Sequence, residues 1–298
     1  MIHLLYDSDC ELNLDIAKEY GIESDYHHIK MPYIIQNRTH LCELITEESS
    51  NEFFSLVKAG NMPSTAALNP MEYTQILEPY FKNGDEMLYV AFSSNMSGTF
   101  NNLKIALDDL QERYPDAKFV RFDTKAISMS AGLMVLTAKK LIDEGKSIEE
   151  IVSFLDELVM KVNCSIIADD LMYLKKGGRL TAMKALLGTM LQLKPIIKLT
   201  TAGTLIPTTN VAGRNKALMT IIKEVADSVD QIEKYPIIIM HGDCLQDAER
   251  IEMKLNSLIP NAKIIKQYVG PVIGSHCGPG TVAIVYVSKE NRPEPIAE

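Results

Sequence analysis

An apolar run that stops at a short polar string, with a helical stretch after it, recurs along the first half of this chain. Ile2 to Tyr6 ends at Asp7-Ser8-Asp9, three residues suited to capping a helix that begins near Leu12. Glu86–Phe92 ends at Ser93-Ser94-Asn95-Met96-Ser97-Gly98, and Thr99 opens a helix that runs to about Arg113. Lys118–Phe122 is followed by helices over Ile127–Glu144 and Ser147–Met160. A further strand is expected over Tyr26–Lys30, with helices over Ser50–Lys58 and Met71–Phe81. Strands that alternate with helices pair in parallel, because each crossover helix has to pack back onto the sheet. The rhythm therefore predicts an α/β fold with a doubly wound parallel sheet and ligands at the carboxyl ends of its strands.

From Cys164 the rhythm changes. A strand over Cys164–Ala168 leads to Lys175-Lys176-Gly177-Gly178-Arg179 and an apolar helical stretch from Ala182 to Leu193. Strands Ile196–Leu199 and Thr204–Pro207 then flank Thr200-Thr201-Ala202-Gly203, which reads as a hairpin turn. Helix Gly213–Val229, strand Ile237–Met240, helix Gln246–Leu258 and strands Lys263–Tyr268 and Val282–Val287 follow. Neighbouring strands without a helix between them predict a mixed sheet. The expected division is an N-terminal parallel-sheet α/β domain over 1–162 and a C-terminal mixed-sheet α/β domain over 163–298, with a frayed tail at Asn291–Pro295.

Composition narrows the function classes. A chain of 298 residues with 46% hydrophobic and 23% charged residues can build its own core and is not grossly disordered. Its net charge of -9 argues against broad electrostatic binding of nucleic acid or anionic membrane. The five cysteines are scattered without CxxC spacing, which disfavours a zinc site or a disulfide framework. No run of eighteen apolar residues and no basic segment leading into an apolar one is present, so a cytoplasmic protein without stable membrane insertion is expected. The 15 methionines would suit a flexible apolar partner, although ordinary core filling is the favoured explanation.

Four polar segments stand where a pocket could form. The serine loop, Ser93 to Thr99, combines hydroxyls with the unpaired amides of a helix start, which suits an anion; simple capping by Ser94 or Ser97 explains it about equally well. Asn61-Met62-Pro63-Ser64-Thr65 reads as a turn after a helix that ends at Gly60. Lys175-Lys176-Gly177-Gly178-Arg179 places three cations around two glycines but lacks the spacing of a phosphate-binding loop. Gly270 to Gly280 holds His276 and Cys277 in a segment rich in Gly and Pro, the punctuation of a backbone held in one shape. Adjacent His and Cys rarely converge on one atom, and no local cysteine-enzyme signature accompanies them.

In order along the chain, these segments resemble the DegV family of bacterial fatty-acid-binding proteins, which includes the fatty-acid-carrying subunits of fatty acid kinase. Asp7-Ser8-Asp9-Cys10-Glu11-Leu12 is similar to the family's DS-x-x-DL, and Ser93 to Phe100 to its SSxLSGTY. Met62-Pro63-Ser64 looks like the end of its TSQPS loop. Asp123-Thr124-Lys125, Ser130-Ala131-Gly132-Leu133, Tyr173 to Leu180, Leu193 to Ile197, Gly213-Arg214 and Gly274 to Gly280 resemble its remaining landmarks.

The resemblance implies two α/β domains with a palmitate-like long-chain fatty acid between them as ligand and no cofactor or metal. It implies a fatty acid kinase catalytic subunit as partner, which would turn the presented carboxylate into an acyl phosphate. By the same resemblance Ser94 is the carboxylate's hydroxyl, supported by Ser93, Ser97, Gly98 and Thr99, while Arg179 and His276 are basic groups near the head group. On that matching the loop's Thr falls on Gly60, leaving Asn61 as a partial substitute, and Ala212 stands where the family often has Arg. Met and Leu between Met183 and Leu191 would wall the acyl chain. A chain of about sixteen carbons brings roughly 10 kcal/mol of gross transfer energy, so loss of one hydroxyl, at ~1–3 kcal/mol, is survivable. Two other readings stay open: a serine hydrolase or phosphotransferase using Ser94 or Ser97 with His276, although no GxSxG elbow is present, and a small-anion sensor. Lys175 and Lys176 are expected to face a partner and Arg179 the ligand.

Overall fold

The computed structural model describes residues 2–24, 27–179 and 193–296. In chain order the N-terminal half holds β1 (Ile2–Asp7), α1 (Leu14–Glu19), β2 (His28–Ile29), β3 (Pro32–Ile35), β4 (Arg38–Leu41), α2 (Glu47–Lys58) and β5 (Ser64–Thr65). It continues with α3 (Pro70–Asn83), β6 (Glu86–Ala91), α4 (Thr99–Arg113), β7 (Lys118–Asp123), α5 (Met129–Asp143) and α6 (Ile148–Val159). The C-terminal half holds β8 (Val162–Ile167), α7 (Met172–Lys176), β9 (Leu193–Leu199), β10 (Leu205–Ala212) and α8 (Arg214–Ser228). Then come β11 (Ile237–His241), α9 (Leu245–Leu258), β12 (Ile264–Tyr268), α10 (Pro271–Cys277) and β13 (Val282–Val287).

The strands form two main sheets. The first is wholly parallel, in the order β2-β1-β6-β7. The second is mixed, in the order β10-β9-β8-β13-β11-β12, with only β11 and β12 parallel. The chain passes from one sheet to the other between the end of α6 at Val159 and the start of β8 at Val162. A small antiparallel sheet, β4-β3-β5, was hidden in the sequence because its strands are short and two of them are mostly exposed.

Helix α5 explains how the halves share one core. It touches β1 and β6 of the first sheet and β8 and β13 of the second. A helix covered on all sides has no use for a polar face, and every residue from Met129 to Ala138 is buried. Gly132 lets it approach closely: a Cβ there would meet the Cys10 carbonyl at 2.6 Å. Helix α6 is instead amphipathic. Ser147 and Glu150 form a capping box at its start, and Ile148, Ile151, Leu155 and Leu158 carry its buried stripe.

Helical structure reaches into two of the polar segments. Within Gly270 to Gly280, α10 occupies Pro271–Cys277, with Pro at its first turn. Part of the basic turn is helical, since α7 takes in Lys175 and Lys176. The helix expected over Ala182 to Leu193 lies outside the described residues, apart from Leu193, which begins β9.

The tail is also not frayed at its centre. Arg292 is 3% exposed, and its Nε donates to the Val162 carbonyl at 2.7 Å. Its Nη1 donates to the carbonyl of Lys125, in the other half of the chain. Its backbone N–H donates to Met160 at 2.8 Å, and the next carbonyl, Pro293, accepts from Thr201 at 2.9 Å. One side chain thus straps the end of the chain across both halves. Burial pulls its pKa down to about 9, so desolvation offsets part of the gain. Each buried carbonyl stripped of its donor costs ~1–3 kcal/mol. Arg292→Ala is expected to lower the unfolding free energy by about 2 kcal/mol in urea titrations, with Arg292→Lys recovering less than half. A change below about 0.5 kcal/mol would mean that the strap adds nothing to stability.

Candidate functional site

A cavity of about 190 Å³ lies between the two sheets. One of its walls can be read from the pairing register of the mixed sheet. Ile197 pairs with Ile166, Ile166 with Ala283 and Ala283 with Met240. Directly paired residues point to the same face, so these four side chains form a row across β9, β8, β13 and β11, and all four line the cavity. Cys164, two residues before Ile166, shares that face. Ala283, in the middle of the row, is the small member and leaves the space open. Phe92 and Ile127 close the wall from the parallel-sheet side.

Most of the polar lining is linked in one cluster, and Ser128 and Thr281 line the wall as well. Thr65, Ser97, Thr99, Arg179, His276 and Asp9 all line the cavity. The Nε2 of His276 and the Thr65 hydroxyl lie 2.9 Å apart, joining α10 to β5. Arg179 donates through Nε to the Met96 carbonyl at 3.1 Å, which ties the residue after α7 to the serine loop. Ser97 donates to Thr99 Oγ1 at 3.0 Å and accepts from the Thr99 backbone at the start of α4. Gly177 makes the His276 position possible, because a Cβ there would stand 2.2 Å from His276 Nδ1.

Charge in this cluster is carried by Arg179. Burial pushes the pKa of His276 down to about 4, and the neighbouring guanidinium adds to the shift. The imidazole is therefore neutral at physiological pH and acts as a hydrogen-bonding group. Burial also lowers the pKa of Arg179, opposed by the field of Asp9, and the guanidinium stays protonated. Cys277 is 7% exposed, and burial pushes its thiol up to about 12, far from the reactive range of a nucleophile.

Of the residues singled out in the sequence, Ser97, Thr99, Arg179 and His276 meet at the cavity. Ser94 does not: its hydroxyl donates to Asp123 Oδ2 and its amide to Asp123 Oδ1, at the end of β7. Ser93 is fully buried and donates to the Gly203 carbonyl at 2.8 Å, while Asn95 donates to Ala202 at 2.7 Å. Those two residues bolt the serine loop onto the β9–β10 turn. Gly98 is the N-cap of α4 and supplies no side chain. Asn61 donates to the Leu56 carbonyl and finishes α2.

Gly60, matched by resemblance to the loop's hydroxyl position, has φ +94° at the exit of α2 and is not on the cavity wall. Thr65, further along the same loop, has its hydroxyl beside His276 on that wall. Its Thr-Ala-Ala segment, rather than Met62-Pro63-Ser64, borders the cavity. Thr65, Asp9 and Gly177 stand in the segments quoted from the sequence but are not among the site residues picked there, and Ser128 is not singled out at all. The signal available for Thr65 was its position after Pro63-Ser64, which reads equally well as a turn.

The nucleophile–base contact needed by a serine hydrolase is not formed by the residues proposed for it. Ser94 is held by Asp123, Ser97 by Thr99, and His276 faces Thr65. Among the described residues no group of three or more His, Cys, Asp or Glu is placed to hold a metal ion. No helix among them is long and apolar enough to cross a membrane.

The sequence profile of the DegV family, described as "Uncharacterised protein, DegV family", matches residues 1–289. The chain belongs to the DegV family. It is 33% identical over 279 residues to a DegV domain-containing protein of Clostridium perfringens, covering 94% of this chain and 96% of that one. Among solved structures, a fatty-acid-binding DegV family protein of Thermus thermophilus is 25% identical with a TM-score of 0.81, over 96% of this chain and 99% of that one. A stearic-acid-binding protein of Eubacterium ventriosum, 19% identical, shares the fold with a TM-score of 0.83, over 97% and 99% of the two chains. The DegV architecture, a parallel sheet facing a mixed sheet, is thus the fold of this chain.

Gly177→Ala tests the polar cluster without removing a polar group. Gly177 has φ −72°, so its backbone tolerates alanine, but the new methyl displaces the His276 ring and breaks its contact with Thr65. The expected result is an ordinary circular dichroism spectrum with an altered chemical shift for the His276 ring. An unchanged shift would mean that the ring has room to spare.

Proposed function

We propose that this chain binds one long-chain fatty acid between its two sheets, with the acyl chain along the row Ile197–Ile166–Ala283–Met240 and the carboxylate at the Arg179 end. The observation that carries the reading is the joining, in one cavity, of an apolar cross-strand row to a cluster of hydroxyls, a neutral imidazole and one half-buried guanidinium. Apolar walls with a few convergent polar groups suit an amphiphile with a small anionic head. Each buried methylene contributes ~0.8 kcal/mol, and a hydrogen bond to the charged head ~1.5–3 kcal/mol. The chain therefore supplies affinity and the head supplies orientation. Solved DegV family relatives described as fatty-acid-binding support the same reading.

The fatty acid is presented, on this proposal, to a fatty acid kinase that makes the acyl phosphate, as the family resemblance implies. Lys175 and Lys176 are exposed on α7 and Arg179 is half-buried beside them, an arrangement that serves one cation to the ligand and two to an acidic or nucleotide-loaded partner. The chain itself supplies no catalytic group in this reading and acts as a carrier in the cytoplasm.

Native mass spectrometry of the purified protein tests the ligand, with an added mass of a C14–C18 fatty acid as the expected result. Ala283→Phe places a ring in the middle of the row and is expected to reduce the loaded fraction at least tenfold while the unfolding midpoint stays close to that of the empty wild type. An unchanged loaded fraction would place the acyl chain elsewhere. Thr65→Val, which keeps shape and deletes the hydroxyl, is expected to speed fatty-acid dissociation about tenfold. For the kinase step, Lys175→Glu combined with Lys176→Glu should leave lipid content intact and slow phosphorylation through the association rate. Equal rates for variant and wild type would remove those lysines from the partner surface.

A further inference from the structure

One acidic side chain is out of place at an anion's end of the cavity. Asp9 is 7% exposed and lines the wall together with Arg179, Ser97 and Thr99. Its Oδ1 has no hydrogen-bond partner among the described residues. The backbone around it is fixed: its N–H donates to Asp7 Oδ1 at 3.1 Å within a single 3-10 turn, Ser8–Cys10. The Cα of Asp9 is therefore held at the cavity wall. A buried, unpartnered carboxyl oxygen beside the seat proposed for a carboxylate calls for an account, since two carboxylates there would repel.

We propose that Asp9 determines the head-group chemistry of this site, sharing one proton with the carboxylate of the bound fatty acid in a carboxyl–carboxylate hydrogen bond. This deepens the fatty-acid reading and rests on it. The bond needs a single proton, drawn from solvent when Asp9 is ionised in the empty protein; no covalent bond forms or breaks. An alternative use of the orphan oxygen, acceptance from a ligand hydroxyl, leaves Arg179 with no ligand anion to face.

The surroundings favour the protonated form. Asp7, Cys10 and Glu11 flank Asp9 on its own segment. Cys42 faces it from the segment after β4, Tyr73 from α3, and Arg179 from the residues after α7. His276 of α10 lies beyond, next to Arg179, and is neutral. Arg179 is the one cation of this set. Burial, then Asp7 and Glu11, drive the Asp9 pKa well above the usual carboxylate range, and Arg179 opposes them only in part.

The sign of the pH effect follows. Where Asp9 carries its proton in the empty protein, a fatty-acid anion binds with constant affinity. Once the pH passes the pKa of empty Asp9, each unit should weaken binding tenfold, because loading must then restore the proton. Glu11 complicates this range, since burial pushes it up to about 8. Its two oxygens are already engaged, accepting from the Ser128 hydroxyl and the Gly270 N–H, and it is not on the cavity wall.

The test measures the dissociation constant of laurate, below its micelle concentration, from pH 6 to 9.5 for the wild type, Asp9→Asn and Glu11→Gln. The expected wild-type profile is flat at low pH and weakens towards tenfold per unit above the break. Asp9→Asn, whose amide donates without a titrating proton, should stay within threefold of its pH 6 value throughout, whereas Glu11→Gln should keep the wild-type break. Calorimetry of the wild type in two buffers of different ionisation enthalpy provides a readout independent of any variant, with close to one proton taken up per laurate above the break. A break that survives in Asp9→Asn, or vanishes in Glu11→Gln alone, or zero proton uptake across the range, would overturn the proposal. Laurate that fails to bind the wild type at every pH would overturn the fatty-acid reading itself, and this inference with it.

Discussion

The carboxylate of Asp7 organises the carboxyl end of the parallel sheet. It ends β1 at 2% exposure, and both of its oxygens are used. Oδ2 accepts from the Tyr89 hydroxyl at 2.7 Å and from the Phe92 N–H at 3.2 Å, while Oδ1 accepts from the Asp9 N–H. Burial of an unpaired carboxylate would be very costly, and these bonds offset that cost without a cation. They also set geometry. The contact with Phe92 fixes where the chain leaves β6 and so where the serine loop begins. The contact with Asp9 tightens the turn that brings the next acidic side chain to the cavity wall. Two cavity-forming loops thus take their positions from one side chain in the first strand.

The two halves are joined by hydrogen bonds at the rim and by apolar packing at the centre. Ser93 and Asn95 reach the β9–β10 turn, Glu11 reaches Gly270, and Ser50 donates to the Val269 carbonyl at 2.9 Å. Between these ties, α5 packs on both sheets. Gly203 shows how close the approach is: a Cβ there would lie 2.4 Å from Ser93 Oγ. A site assembled in this way depends on both halves, since its cation and imidazole come from one and its serine loop from the other.

What the sequence made legible was local. The alternation of apolar runs and polar caps is written in consecutive residues, and it yielded the parallel sheet; the change of rhythm after residue 163 yielded the mixed one. Ser97 and Thr99 could be placed at a helix start because a helix start is itself a local signal. Ser94 could not be judged, because its partner Asp123 is 29 positions away. Thr65 was harder still, since its role exists only through His276, 211 positions on. Arg292 was invisible for a related reason: Pro and charge near a terminus look frayed until the carbonyls that hold the guanidinium are known.

The row across the mixed sheet has a further consequence. Ile166, Ile197, Met240 and Ala283 belong to the same continuous core as Leu4 and Val90 of the parallel sheet. On the proposed function, an apolar guest in the cavity would become a component of that core, completing packing that the polypeptide leaves open. Preferential binding to the native chain raises its stability by RT ln(1 + [L]/Kd), about 2.7 kcal/mol at a hundredfold excess over Kd. Proteases that capture unfolded chains would remove the empty form first, so the cellular amount of this protein would follow the supply of its guest with no change in transcription.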